Sequence, residues 1–232
     1  MNTWRDIGYS LKKEVYTEEE IRGLIAVIDN LEMSGEYFKR SADLFAIRNF
    51  LGQSESISRI VFNEKLKAII RQEFGENYFV VKSIYFDKPA SSNWFVSYHQ
   101  DLTISVDKKA DIPGFGPWTA KHGYYGVQAP VEILENIFTI RIHLDDTNED
   151  NGALKVIPQT HRNGVRRMND LVVVNEVSCN VPKGGIMLMK PLLMHRSSRS
   201  KNEKRRRVIH IEFSDMALPG GLHWAEYMDI GS

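Results

Sequence analysis

The sequence has one cysteine, no net charge and no internal repeat. It also has no apolar run near the roughly 20 residues needed to span a bilayer. The lone Cys179 excludes an intrachain disulfide and predicts a reducing compartment. Thirty basic and thirty acidic side chains cancel, so no global field draws the chain to nucleic acid or to a membrane surface. The first ten residues contain no apolar stretch of the kind that directs secretion. These absences predict a cytoplasmic protein with no nucleic-acid and no membrane partner. They leave its oligomeric state open.

What is present is enough apolar material for a sizeable core: 42% of 232 residues, with 10% aromatic. A β-rich chain of this length commonly forms one domain, so residues 1–232 are expected to be a single unit. Residues 1–76 read as mostly helical. Thr17-Glu18-Glu19-Glu20 is a capping box, followed by Ile21, Leu24, Ile25 and Ile28 at helical spacing, with Gly35 as a stop. Asn63 is positioned to cap a second helix carrying Leu66, Ile69, Ile70 and Phe74, ending at Gly75.

From residue 77 the texture changes. Short β-rich runs at 78–86, 94–99, 137–144, 153–157, 171–177, 186–189 and 206–213 alternate with turn clusters. Many short strands without intervening helices predict a mainly β fold with flanking helices, a sandwich or jelly roll spanning 77–215. The leading helices would cover one sheet's outer face, and 216–232 would be a C-terminal tail. Residues 111–130, rich in Gly, Pro and aromatics, read as a long loop near the mouth of a site.

The site is suggested by Tyr98-His99-Gln100-Asp101-Leu102. On extended backbone, residues two apart point to the same side. His99 and Asp101, with one distant histidine, can occupy one face of a six-coordinate Fe(II) and leave positions open for O2 and a second reactant. The third ligand is open among His122, His143, His161, His195, His210 and His223. His195 has the lead because it falls at a strand edge, after 186–189 and a Lys190-Pro191 turn. A second clue is Arg206 to Phe213. Alternation puts Arg206, Val208, His210 and Glu212 on one face and Arg207, Ile209, Ile211 and Phe213 on the other. The apolar row would meet the helices and the polar row would line the interior. An inward arginine needs an anionic partner, and a dicarboxylic acid would supply one.

Four pieces carry a resemblance. They are residues 93–102, Leu144-Asp145-Asp146, residues 151–161, and His195-Arg196-Ser197-Ser198 with Arg206 eleven residues after His195. In order and spacing the chain resembles the phytanoyl-CoA dioxygenase family of Fe(II)- and 2-oxoglutarate-dependent oxygenases, over roughly residues 82–214. The resemblance implies a double-stranded β-helix (jelly roll, cupin-like). It implies iron bound by His99, Asp101 and His195, and 2-oxoglutarate held by Arg206 with help from Ser197. Arg141 falls at a position that faces the cosubstrate in the family; Gln128 and Lys82 are further candidates. Trp94, Phe95 and the 111–130 loop, Trp118 included, would shape the pocket for a small-molecule substrate. The implied reaction consumes O2 and 2-oxoglutarate and releases succinate and CO2. The oxidised substrate position is an unactivated C–H bond.

Two departures stand out. Arg196 replaces a common Gly after the distal histidine, and is expected to crowd or charge the site entrance. Gln159-Thr160 replaces a common Gly-Ser. In the family, Asp101 argues for hydroxylation, since related halogenases have Gly or Ala there; desaturation and ring formation use the same triad. Gly152 reads as a turn residue with positive φ. The competing readings are a non-catalytic, cupin-like ligand-binding protein and a metal-dependent hydrolase or isomerase on the same barrel.

Overall fold

The structure, a computed structural model, describes residues 4–32, 37–40, 45–90, 95–121, 123–166 and 171–230. Its helices are α1 (Trp4–Ile7), α2 (Glu18–Asp29), α3 (Glu55–Val61), α4 (Glu64–Phe74) and α5 (Val131–Asn136). The larger sheet runs β1 (Tyr9–Lys12), β12 (Ile186–Met189), β9 (Phe138–His143), β14 (Arg206–Ser214), β4 (Phe79–Lys88), β3 (Phe45–Arg48), β2 (Phe38–Arg40), and β15 (Met228–Asp229) also pairs with β4. A smaller sheet runs β11 (Val177–Cys179), β10 (Leu154–Val156), β13 (His195–Ser197), β5 (Val96–His99). A third runs β6 (Thr103–Val106), β8 (Tyr125–Gln128), β7 (Trp118–Ala120). All pairings are antiparallel among the described residues. The architecture is the mainly β jelly roll expected from the sequence, with helices outside the larger sheet.

The caps form as the sequence predicts. The Thr17 hydroxyl accepts from the Glu20 N–H while the Glu20 carboxylate accepts from the Thr17 N–H, satisfying two orphan donors reciprocally. Asn63 accepts from the Leu66 N–H at 2.8 Å, and α4 ends at Gly75, whose φ is 100°. One stop is corrected: α2 ends at Asp29 with Asn30 as its cap, before Gly35, which lies outside the described residues. The buried stripes Ile21, Leu24, Ile28 and Leu66, Ile70 join Ile209, Ile211 and Phe213 in one cluster. This is the apolar row of β14 meeting the helices. Each such side chain stabilises by roughly 1.5–3 kcal/mol when fully buried, so a one-residue slip of β14 would forfeit several at once.

Other expectations are revised. The N-terminal part is not only helical: β1, β2 and β3 extend both edges of the larger sheet, and α3 was not anticipated. Of 171–177 only Val177 is in a strand, and Val172, Val173 and Val174 are exposed. A valine run has strand propensity, but among the described residues no strand pairs with it. Residues 111–130 are not a loose loop. They hold β7 and β8, which pack with β6 and α5 around Ile104, Val127, Ile133 and Trp224. The final segment is not a tail. Trp224 is buried and its indole N–H donates to Met216 O at 2.9 Å, while β15 pairs with Val80 and Phe79.

Candidate metal centre

A cavity of about 340 Å³ lies between the two main sheets, lined by β4, β9 and β14 on one side and β5, β10 and β13 on the other. His99 ends β5 and stands directly opposite His195, which begins β13. Their rings are 4.1 Å apart. Asp101 lies just past β5, with its N–H donating to Pro191 O at 2.9 Å. One Asp101 oxygen is 3.7 Å from His99 Nε2 and the other 3.7 Å from His195 Nε2. One ligand atom from each residue falls within 4.8 Å of the others. Among the described residues this is the one such cluster of His, Cys, Asp and Glu.

Both imidazoles are oriented the same way. His99 Nδ1 lies 2.9 Å from Ser97 O, and His195 Nδ1 lies 2.9 Å from Leu193 O. A carbonyl only accepts, so each Nδ1 carries the proton and each Nε2 presents a lone pair to the cavity. Burial, partly offset by Asp101, brings His195 down to about 4, so it is neutral at physiological pH, as a ligand must be. Burial pushes the Asp101 carboxyl up, but the positive charge that the histidines at 195, 210 and 99 carry when protonated, with that of Lys82, outweighs burial and holds it at about 2. Two imidazoles held through Nδ1 and one carboxylate on one side of an open cavity match the donor set of a facial Fe(II) triad.

Across the cavity, β14 points as alternation predicted. Arg206, His210 and Glu212 line the space, while Arg207 turns away and forms a two-pronged pair with Asp145 at 2.8 and 2.7 Å. Arg206 is 4% exposed. Its Nη1 donates to the carbonyl oxygen of Gly152, and its Nε has no partner among the described residues. Gly152 sits at φ 85° after a single turn capped by Asn148. A Cβ there would lie 2.8 Å from Ser198 O and 2.9 Å from Lys88 Nζ, so this backbone approach requires glycine. Arg141, on β9, donates to His210 Nδ1 at 2.9 Å and also has an unpartnered Nε. Burial lowers Arg206 to about 9 and Arg141 to about 10; both stay charged near neutral pH. Neither guanidinium touches a carboxylate among the described residues. Two buried cations with unused donors form a receptor for an anion. Ser197, on β13, is buried and lines the same cavity.

Several sequence candidates lie elsewhere. Gln128 and Trp118 do not line the cavity: Trp118 packs on the Ile104 cluster and Gln128 sits on β8. Phe95 is half exposed on the outer side, under the Arg199 guanidinium at 4.7 Å. Trp94 and His122 lie outside the described residues. Arg196 does not charge the entrance. Alternation on β13 sends it outward, where it pairs with Glu176 at 2.6 and 2.8 Å and covers the Tyr98 ring. His143 contacts Thr147 and His161 contacts Arg5 O, each buried away from the cluster. The Cys179 thiol is buried and pushed up to about 12, so it is no nucleophile at neutral pH. What sequence reasoning undervalued is the pairing of Glu212 with Lys82, at 2.9 Å to both carboxylate oxygens. Alternation had placed Glu212 inward, but its partner on β4 carried no local signal.

No helix among the described residues is long and apolar enough to cross a membrane. No curated protein sequence matches the chain significantly. Solved structures do match in fold. The non-heme alpha ketoglutarate dependent epimerase SnoN from nogalamycin biosynthesis is 14% identical, with 94% of this chain and 87% of that chain covered and a TM-score of 0.67. EctD from S. alaskensis is 17% identical, with 91% and 74% covered and a TM-score of 0.70. HygX from Streptomyces hygroscopicus, solved with nickel, 2-oxoglutarate and hygromycin B, is 13% identical, with 91% and 84% covered and a TM-score of 0.64. At these identities the likeness establishes fold alone. The family model for phytanoyl-CoA dioxygenase, however, matches residues 4–208, and the chain belongs to that family.

Proposed function

We propose that this protein is an Fe(II)- and 2-oxoglutarate-dependent oxygenase that hydroxylates an unactivated C–H bond of a small molecule. The observation that carries the reading is the convergence of His99, Asp101 and His195 with both Nε2 lone pairs turned inward. His99, Asp101 and His195 would hold the iron. When bound, iron with 2-oxoglutarate supplies the oxidising chemistry, consuming O2 and releasing succinate and CO2.

The chain's own residues do the rest. Arg206 pairs with the distal carboxylate of 2-oxoglutarate, and its Gly152 contact fixes the fork. Ser197 and Arg141 are the further cosubstrate contacts. Ser97 O and Leu193 O hold the ligand imidazoles in the binding tautomer. Ile84, Phe86, Val96 and Leu154 give the cavity its apolar wall. A cavity of about 340 Å³ is at the small end of the range for ligand pockets, in keeping with a small substrate. An intact Asp101 supports hydroxylation, and a neighbour in fold is a non-heme alpha ketoglutarate dependent epimerase.

The test is anaerobic loading with Fe(II) and 2-oxoglutarate followed by exposure to air. The expected result is succinate release that requires both iron and O2, even as a slow uncoupled reaction. Metal-dependent activity that persists without O2, or 2-oxoglutarate left intact, contradicts the proposal and favours a hydrolase or a ligand-binding module.

A further inference from the structure

Three strands carry a polar chain that crosses the cavity floor. Arg141 on β9 stands directly opposite His210 on β14, and Lys82 on β4 stands directly opposite Glu212 on β14. His210 and Glu212 are two apart, so they share the inward face. Arg141 Nη1 lies 2.9 Å from His210 Nδ1. A guanidinium only donates, so this nitrogen accepts, and a neutral ring then carries its proton on Nε2. That nitrogen lies 3.1 Å from Glu212 Oε1 and donates to it. Lys82 Nζ clamps both Glu212 oxygens at 2.9 Å and spends its remaining donor on Thr103 O at 2.6 Å. Thr103 is two residues past Asp101. The chain therefore starts at a guanidinium facing the anion receptor and ends on the segment that bears a proposed iron ligand.

Every link has one polarity. If His210 adopted the other tautomer, its Nδ1–H would face the Arg141 N–H and its bare Nε2 would face the Glu212 carboxylate. Both contacts would become repulsive. Glu212, held in place by Lys82, thus selects the His210 tautomer that can accept from Arg141. The His210 contact is the only hydrogen bond Arg141 makes among the described residues, so nothing else fixes its fork.

We propose that His210 and Glu212 are positioning residues that aim the Arg141 guanidinium at the bound 2-oxoglutarate without touching it themselves. The inference rests on the oxygenase reading. It predicts a particular pattern among substitutions at 210. Asn places a carbonyl oxygen near the Nδ1 position and keeps an acceptor for Arg141. Gln reaches toward the Nε2 position, and Phe keeps the ring but accepts nothing.

The experiment is calorimetric titration of 2-oxoglutarate into Mn(II)-loaded protein, with Mn(II) affinity measured alongside. His210→Asn is expected to bind 2-oxoglutarate within about threefold of wild type, and His210→Gln and His210→Phe about tenfold more weakly, the scale of one lost charge-assisted hydrogen bond. Mn(II) affinity should be unchanged in all three. Glu212→Leu tests the chain from its other end and should also weaken 2-oxoglutarate about tenfold, while Glu212→Gln, which keeps an acceptor for His210, should weaken it less. Equal weakening in Asn, Gln and Phe, or no weakening in any of them, overturns the positioning role. Wild-type protein that takes up Mn(II) but no 2-oxoglutarate overturns the oxygenase reading itself.

Discussion

His99 and His195 stand opposite one another on adjacent antiparallel strands, 96 residues apart in the chain, with their rings 4.1 Å apart. Each is locked by a carbonyl two residues before it. The cross-strand pairing, rather than either residue alone, makes the site. His99→Ala and His195→Ala should each lower Mn(II) or Fe(II) affinity by about a hundredfold or more, with the fold retained. Loss of a protein ligand is expected to cost at least as much as loss of its supporting partner. Calorimetric titration with Mn(II) measures this directly.

Arg206 and Arg207 are neighbours with opposite destinations. Arg206→Ala removes a buried guanidinium from the anion receptor and should weaken 2-oxoglutarate binding by about a hundredfold. Arg207→Ala removes a partly buried ion pair with Asp145. It should leave 2-oxoglutarate affinity intact and lower stability by at most about 1–2 kcal/mol. The comparison checks the strand register: reversal of the two effects would place the inward face of β14 one residue off.

Gly152 holds its carbonyl against Arg206 at a left-handed φ of 85°. Gly152→Ala forces a Cβ against Ser198 O and the Lys88 ammonium. We expect a loss of roughly 1–3 kcal/mol in urea unfolding, together with weaker 2-oxoglutarate binding, because the shifted carbonyl no longer steadies the guanidinium.

Much of this was legible in the sequence. Period-two alternation gave the inward row of β14, because a sheet covered by helices on one side enforces it. The His99–Asp101 spacing and the two helix caps were readable because they are local. What was not legible depended on long-range pairing. The three-residue strands β2, β7, β10, β11 and β13 carry too few residues for a period to emerge. The tri-valine at 172–174 has strand propensity but pairs with no strand among the described residues. The outward turn of Arg196 follows from β13 being a strand at all, and its salt bridge to Glu176 involves a residue twenty positions earlier. Lys82 and Glu212 lie 130 residues apart, and only the β4–β14 register joins them.

The metal-free protein should lose stability as pH falls below about 6.5. Burial lowers the His143 imidazole well below its ordinary value, and burial also lowers His161. Both are held neutral in the fold while the unfolded chain takes up protons as pH drops through 6.5. Unfolded molecules then bind more protons than folded ones, so stability rises with pH across this window and falls on acidification. Each such imidazole contributes at most about 1.4 kcal/mol per pH unit. Urea midpoints of the metal-free protein at pH 7.5 and 5.5 measure the slope, and it should be shallower in His143→Gln.

The most direct measurement of the central claim is the stoichiometry of 2-oxoglutarate binding with and without metal, made anaerobically by calorimetry. The account predicts one equivalent bound tightly when Mn(II) or Fe(II) is present. It also predicts binding that is much weaker without metal, and the same weakness in Asp101→Ala whether or not metal is added. Tight binding that ignores the metal, or none when the metal is in place, would contradict it.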